Sequence, residues 1–178
     1  MTILKKVFLS LILSLGLVNI VSATETYAGV EFGKKLGTYG TYTKGYSGFE
    51  VATEYGEFRQ KIISTNTDKI VDLITLSNVY FGDDRLGKVE QLEKTFGKKY
   101  KFENKKTEKN MLNQTVNVLT YRNNGDQITL EHGIAGPEAI RIEIKFISKE
   151  RIKMIEDEKL KKKEALNVKQ KQNEDLFK

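Results

Sequence analysis

Residues Gln114–His132 read QTVNVLTYRNNGDQITLEH, and this stretch limits the fold more than any other. Two runs rich in β-branched and aromatic residues flank Asn123-Asn124-Gly125. An Asn-Gly step tolerates positive φ at both of its residues, which the tightest hairpin turns demand. QTVNVLTYR and DQITLEH are therefore expected to be antiparallel neighbours, and the chain is committed to a sheet.

The same logic extends in both directions. AIRIEIKF alternates Ile140, Ile142, Ile144 and Phe146 with Arg141, Glu143 and Lys145, so one face of this strand is core and the other meets water. The loop before it is expected at Gly133–Pro137. Upstream, FEVATEYGEFRQKIIS sets Phe49, Val51, Thr53 and Tyr55 on one face, and Gly56 interrupts before Phe58, Ile62 and Ile63, giving a second hairpin. DKIVDLITLS follows the turn-forming Asn66-Thr67-Asp68 and has the β-branched density of a mostly buried third strand.

Helices occupy two places. GDDRLGKVEQLEKTFGKKY carries Leu86, Val89, Leu92 and Phe96 at helical spacing, Asp83 or Asp84 as N-cap, and Gly97 just past the end. Lys98 and Lys99 suit the negative end of the helix dipole. A helix is predicted over Asp84–Phe96, and capping accounts for the Asp-Asp pair without a metal or catalytic role. From Ser148 to Lys178 there is no Gly or Pro, and the good helix formers Lys, Glu, Leu and Gln dominate. Ile152, Ile155, Leu160, Leu166 and Val168 hold no heptad, so only the first turns of this tail are expected to dock. The expected class is α+β: a mainly antiparallel sheet of about five to seven strands, one packed helix and a C-terminal helical extension.

At the N-terminus, Lys5 and Lys6 precede an apolar run, Val7 to Val18, and Val21-Ser22-Ala23 offers a peptidase small or permissive side chains. This is the pattern of a signal peptide cut after Ala23. A membrane anchor fits less well, because Ser10, Ser14, Gly16 and Asn19 interrupt a run already short of the roughly 20 residues of a span. The expected organisation is a signal peptide at 1–23, an α+β domain at 24–148 and a charged tail at 149–178, delivered to the periplasm or the cell exterior with no stable membrane insertion. The sequence has no cysteine, so neither a lipid anchor nor a disulfide is available and packing alone stabilises the fold.

Without Lys5 and Lys6 the net charge falls from +6 to +4, 28 basic side chains against 24 acidic. Residues 149–178 hold ten Lys or Arg and seven Asp or Glu. The signs are interleaved rather than segregated, as on a solvated helix surface, and this argues against a nucleic-acid partner.

Little catalytic chemistry is on offer. His132 is the only histidine, which excludes any site needing two imidazoles, and the lack of cysteine excludes thiolate zinc sites and cysteine nucleophiles. A serine triad would need His132, and none of Ser47, Ser64, Ser77 or Ser148 stands in a nucleophile elbow. His132 reads as a strand histidine with its hydrogen bonds met. Glu50, Glu54, Glu57, Asp72, Glu131 and Glu143 fall near strands, so a facing carboxylate pair stays open. Phosphate-loop fingerprints are missing, and no metal site or cofactor is expected.

One stretch resists the strand pattern. GKKLGTYGTYTKGYSGFE, Gly33 to Glu50, packs five glycines and three tyrosines together. Gly33–Gly45 reads as an irregular lead-in, with the strand starting at Tyr46. The sharper reading makes Tyr39, Tyr42 and Tyr46 the candidate ligand-binding residues, exposed rings on which a sugar or base can stack. The stretch overlaps a small internal echo: VEFGKKLG at Val30 and VYFGDDRLG at Val79 share V-x-F-G and a following Leu-Gly.

GVEFG after the signal, LEKTFGKKY closing a helix, the YRNNGDQITLEH hairpin and IRIEIKF leading into a charged tail together resemble a loose group of small exported bacterial proteins of unknown function. The resemblance implies fold and export only and brings no catalytic residues. The expected function is a non-enzymatic cell-envelope binding or protein-interaction domain, with a protein or glycan partner. Two alternatives stand beside it: a carboxylate-dependent glycan or peptide hydrolase, and an inhibitor or immunity-type partner of another exported protein.

Overall fold

The structure, a computed structural model, describes the backbone of residues 25–110 and 113–176 and the side chains of these as far as 170. The signal peptide expected at 1–23 lies outside the described residues.

The protein is α+β. A two-stranded hairpin, β1 (Thr26–Tyr27) and β2 (Val30–Glu31), leads into a single 3-10 turn at Leu36–Thr38. Four strands follow: β3 (Thr43–Gly45), β4 (Gly48–Tyr55), β5 (Phe58–Ser64) and β6 (Leu73–Phe81). Helix α1 (Arg85–Lys99) precedes four more, β7 (Lys101–Lys109), β8 (Thr115–Asn123), β9 (Asp126–Gly136) and β10 (Ala139–Ile147), and the chain ends in helix α2 (Lys149–Leu176). The large sheet is eight-stranded and antiparallel, in the order β3-β4-β5-β6-β10-β9-β8-β7. It is wider than the five to seven strands expected.

This order has a simple logic. β3–β6 form one meander, α1 carries the chain across to the far edge, and β7–β10 form a second meander running back to the centre. The fourth strand of each meander pairs with the fourth strand of the other, and the register centres on Ser77 opposite Glu143. The two echoing segments stand at equivalent points. Each ends a strand, passes through a left-handed glycine, Gly33 or Gly82, both at φ +82°, and enters a helical turn at its Leu-Gly.

All the main packing lies on one face, the covered face. Val51, Ile62, Ile74, Leu76, Leu119, Tyr121, Ile128, Leu130, Ile142, Ile144 and Phe146 project from the sheet into one cluster. Val89 and Phe96 of α1 cover them on one side, and Tyr27, Val30 and Leu36 cover them on the other. The Tyr27 ring stacks on Phe146 with centroids 4.9 Å apart, in the range of a favourable aromatic pair.

Both predicted hairpins form. Gly56 at φ +59° turns the chain between Tyr55 and Phe58, and Asn124 (φ +49°) with Gly125 (φ +92°) turns it between Asn123 and Asp126. The strand of DKIVDLITLS starts late, at Leu73, and runs on to Phe81.

Other boundaries differ, each for a physical reason. Gly133–Pro137 is not a loop: β9 continues to Gly136, and Pro137-Glu138 makes the reversal. Gly133 stays in the strand because Val116 fills its space, and a Cβ there would lie 2.7 Å from Val116 Cγ1. Tyr46 does not start a strand but sits in the turn between β3 and β4. The strand begins at Gly48, where φ is +134° and a side chain would strike the Ser64 carbonyl. Gly97 does not end α1 but lies inside it, because the helix runs on to deliver Tyr100 into the core against Phe96. Leu86 is 59% exposed and does not join the apolar face. Asp84 occupies the N-cap position without a side-chain capping bond.

The tail behaves as expected. Ser148 Oγ accepts the Arg151 N–H at 3.2 Å, and Arg151 Nη1 reaches buried Asp72 Oδ1 at 3.2 Å. From Lys153 to Gln170 every side chain is exposed. Among the described residues, no helix is long and apolar enough to cross a membrane.

Candidate functional site

Strand alternation sends every second side chain to the face opposite the core. α1 packs on the other side and α2 leaves the sheet after its first turn, so this face is open. Across its centre the register aligns Glu54, Arg59, Ser77, Glu143, Glu131, Val118 and Lys106 in one row. Ile63, Leu73, Val116, Thr120 and Thr129 lie on it too and, with Val118, are buried.

A recess of about 350 Å³ lies over the second meander, with Glu108, Val116, Glu131, Gly133, Arg141, Glu143 and Lys145 in its lining. The missing side chain at Gly133 keeps its floor low. Lys145 Nζ lies 2.6 Å from Glu143 Oε1 and 3.4 Å from Glu131 Oε2, and Arg141 Nη2 lies 2.8 Å from Glu143 Oε2. Burial pushes the Glu143 carboxyl up, but hydrogen bonds and charge from Lys145 and Arg141 outweigh it and hold the group below its ordinary range. Burial likewise pushes Lys145 down, and Glu143 with Glu131 reverses this to leave the ammonium raised. Both groups are thus fixed in their charged forms at neutral pH.

Of the six acidic residues that stood near strands, the fold brings only Glu131 and Glu143 together, as direct cross-strand partners. Glu50 pairs with Lys61, Glu57 with Lys88, and Asp72 with Arg151. A glycosidase-type pair needs one carboxyl held protonated by a raised pKa. Glu143 is shifted the opposite way and Lys145 bridges it to Glu131, so the arrangement is a charge clamp rather than an acid–base pair.

A second recess of about 380 Å³ adjoins the first and shares Arg141; Arg59, Ser77, Asn78, Val79 and Phe81 complete its lining. Val79 is 39% and Phe81 75% exposed. Arg59 has no ion pair among the described residues.

The three tyrosines lie elsewhere. Tyr39 is half-buried against the core, its hydroxyl accepting the Glu31 N–H at 2.9 Å. Tyr42 sits edge-on to Phe49 with centroids 5.9 Å apart, and Lys69 Nζ lies 4.9 Å from its ring centre. Tyr46 is fully exposed at its hairpin tip. No ring contact joins the three, and none lines either recess. Phe49 is on the covered face, so Tyr42 packs on the side away from the recesses.

His132 also belongs to the covered face, level with Ile142. Its Nε2 is buried without a hydrogen bond, 3.6 Å from Glu93 Oε1 of α1, which also lies 3.6 Å from Lys105 Nζ of β7. Burial lowers its pKa; the Glu93 charge opposes the shift and Lys105 adds to it. The histidine is therefore not fully satisfied, contrary to the expectation from sequence. Ser77 faces the other side of the sheet, Ser64 Oγ bonds Asn66 at 3.1 Å, and Ser148 caps α2. Among the described residues no three His, Cys, Asp or Glu side chains gather as a metal site would require.

No protein-family model, curated protein or solved structure matches this chain.

Proposed function

We propose that this chain is a non-enzymatic binding domain of the cell envelope that docks another protein on the open face of its sheet. The observation that carries the reading is the charge clamp Arg141–Glu143–Lys145–Glu131, set in a recess on the sheet face opposite the core that α1 covers. Fixed charges in a recess supply orientation and specificity for a partner surface, whereas acid–base chemistry needs a group poised to exchange its proton. The resemblance to small exported proteins and the pattern of residues 1–23 support the envelope as the setting. An inhibitor or immunity-type partner is a special case of this reading.

The test is capture from an envelope extract by the full chain, compared with Arg141→Glu and Ala52→Arg, two exposed open-face positions, and with a chain cut before Lys153. The expected result is a captured protein that both face variants lose and the shortened chain keeps, with circular dichroism unchanged in the variants. Capture indifferent to both face variants overturns the reading, as does turnover of an envelope glycan or peptide that is lost in Glu131→Gln.

A further inference from the structure

The second recess differs in chemistry from the first. Two arginines and no carboxylate line it. Lys61, two residues from Arg59 on the same face, is held by Glu50 at 3.2 Å, while Arg59 makes no ion pair among the described residues, Glu54 standing opposite it on β4 but outside the recess lining. Arg141 engages Glu143 through Nη2 and keeps its side chain 55% exposed. Between the two arginines the end of β6 presents Val79 and Phe81, on one face and two residues apart.

We propose that this recess receives an acidic segment of the partner protein carrying an aromatic side chain next to a carboxylate. The proposal rests on the reading above and names what the open face recognises. A guanidinium pairs with a carboxylate through two parallel hydrogen bonds and also stacks on an aromatic ring, and an aromatic ring placed on Val79 and Phe81 removes apolar surface from water. A ligand with charge alone leaves Val79 and Phe81 wet. A purely apolar ligand leaves Arg59 desolvated in a recess that no carboxylate lines, which is costly. Only a segment with both features satisfies every lining group, and Ser77 offers a hydroxyl between them.

The two-fold arrangement of the meanders adds a second observation. Arg59 stands opposite Ser77, as Glu131 stands opposite Glu143. At the position where one half carries a carboxylate held by Lys145, the other carries Arg59, which makes no ion pair among the described residues. The first recess is therefore lined by charges of both signs and the second by cations alone, which gives a docking acidic segment a direction.

The probe is a soluble random copolymer of glutamate and tyrosine, titrated calorimetrically into the full chain at about 0.05 and about 0.15 M salt, with polyglutamate as the charge-only control. Saturable binding of the copolymer is expected, weaker at the higher salt. It should weaken at least about tenfold for polyglutamate, for Arg59→Gln and for Phe81→Ser, the scale of a residue central to an interface. Both substituted side chains are exposed, so the variants retain the fold, checked by circular dichroism. No saturable binding, equal binding by wild type and both variants, or polyglutamate binding as tightly as the copolymer overturns the proposal. If this titration fails while envelope capture is still lost in Arg141→Glu and Ala52→Arg, the open-face reading survives and the acidic-aromatic specificity falls.

Discussion

The two meanders share a topology and divide the work unequally. The second half has a full helix over its core and strands of nine to eleven residues; the first has one 3-10 turn and a three-residue strand at its edge, and the small hairpin beside it packs Tyr27 onto Phe146 of the second half. On the open face the contrast runs the other way. The second half pairs its charges in the clamp, and in the first Arg59 makes no ion pair among the described residues. Where packing is rich the exposed charges pair with one another, and where packing is thin an arginine makes no ion pair among the described residues.

Deleting the cover of either half tests whether the contrast reaches stability. Phe96→Ala removes the aromatic anchor of α1 and is expected to cost about 3–5 kcal/mol, and Leu36→Ala in the first half about 2–5 kcal/mol. Because β6 and β10 are one continuous ladder, urea unfolding should remain a single transition in both variants. A first half that melts separately would show that the seam does not couple them.

Asp72 probes the joint between the first half and the tail. Its carboxylate accepts the Thr65 hydroxyl, the Thr65 N–H at 3.2 Å and Arg151 Nη1 at 3.2 Å. Asp72→Ala strands the Arg151 charge in a largely buried site and should cost about 3–5 kcal/mol. A double-mutant cycle with Arg151→Met should recover most of it, and strict additivity would refute the coupling.

Two glycines of the second half should respond with opposite signs. Gly133→Ala drives a Cβ into Val116 and toward the Thr115 carbonyl and should destabilise by about 1–3 kcal/mol. Gly97→Ala meets nothing within 4 Å and should stabilise the helix by about 1 kcal/mol. Chemical denaturation of the pair measures both.

The smallest effect is a pH slope confined to the second half. Burial lowers the folded pKa of His132 from its ordinary 6.5, so the unfolded chain binds a proton that the folded chain refuses. Stability is complete above pH 6.5, falls as pH drops toward the folded value, and then levels. His132→Gln should remove this slope. Glu143, also lowered, from 4.5, adds a separate loss at more acidic pH, as pH falls through its folded value. Hydrogen exchange near pH 6 should show β9 and α1 loosening before β4 and β5.

The comparison also shows what a sequence can disclose. AIRIEIKF and the Asn-Gly hairpin were legible because alternation and positive φ are local properties of the chain. β7 was not: KFENKKTEK is exposed at every position and becomes a strand only because β8 offers it an edge, and its lysines suit an edge that must resist pairing with other chains. The three-residue β3 hid among glycines for the same reason. Arg141, Glu143 and Lys145 were readable as one face of a strand, but their enclosure by Glu131 depends on the β9–β10 register. The neighbourhood of Arg59, Phe81 and Arg141 depends on β6 meeting β10, a pairing about sixty residues apart in the chain that no local signal announces. The tyrosines drew attention as a cluster in sequence, and the chain's path separates them.

The seam between β6 and β10 has one further consequence. Its backbone is pseudo-two-fold: each fourth strand offers the corresponding edge to the other, antiparallel about a central pair. That is the geometry by which two identical subunits form a closed two-fold dimer. A chain of half this length, with one helix and one meander, could build the same sheet by meeting its own copy. Holding both meanders in a single polypeptide leaves each half free to vary alone, so the two sides of the seam need not carry the same surface.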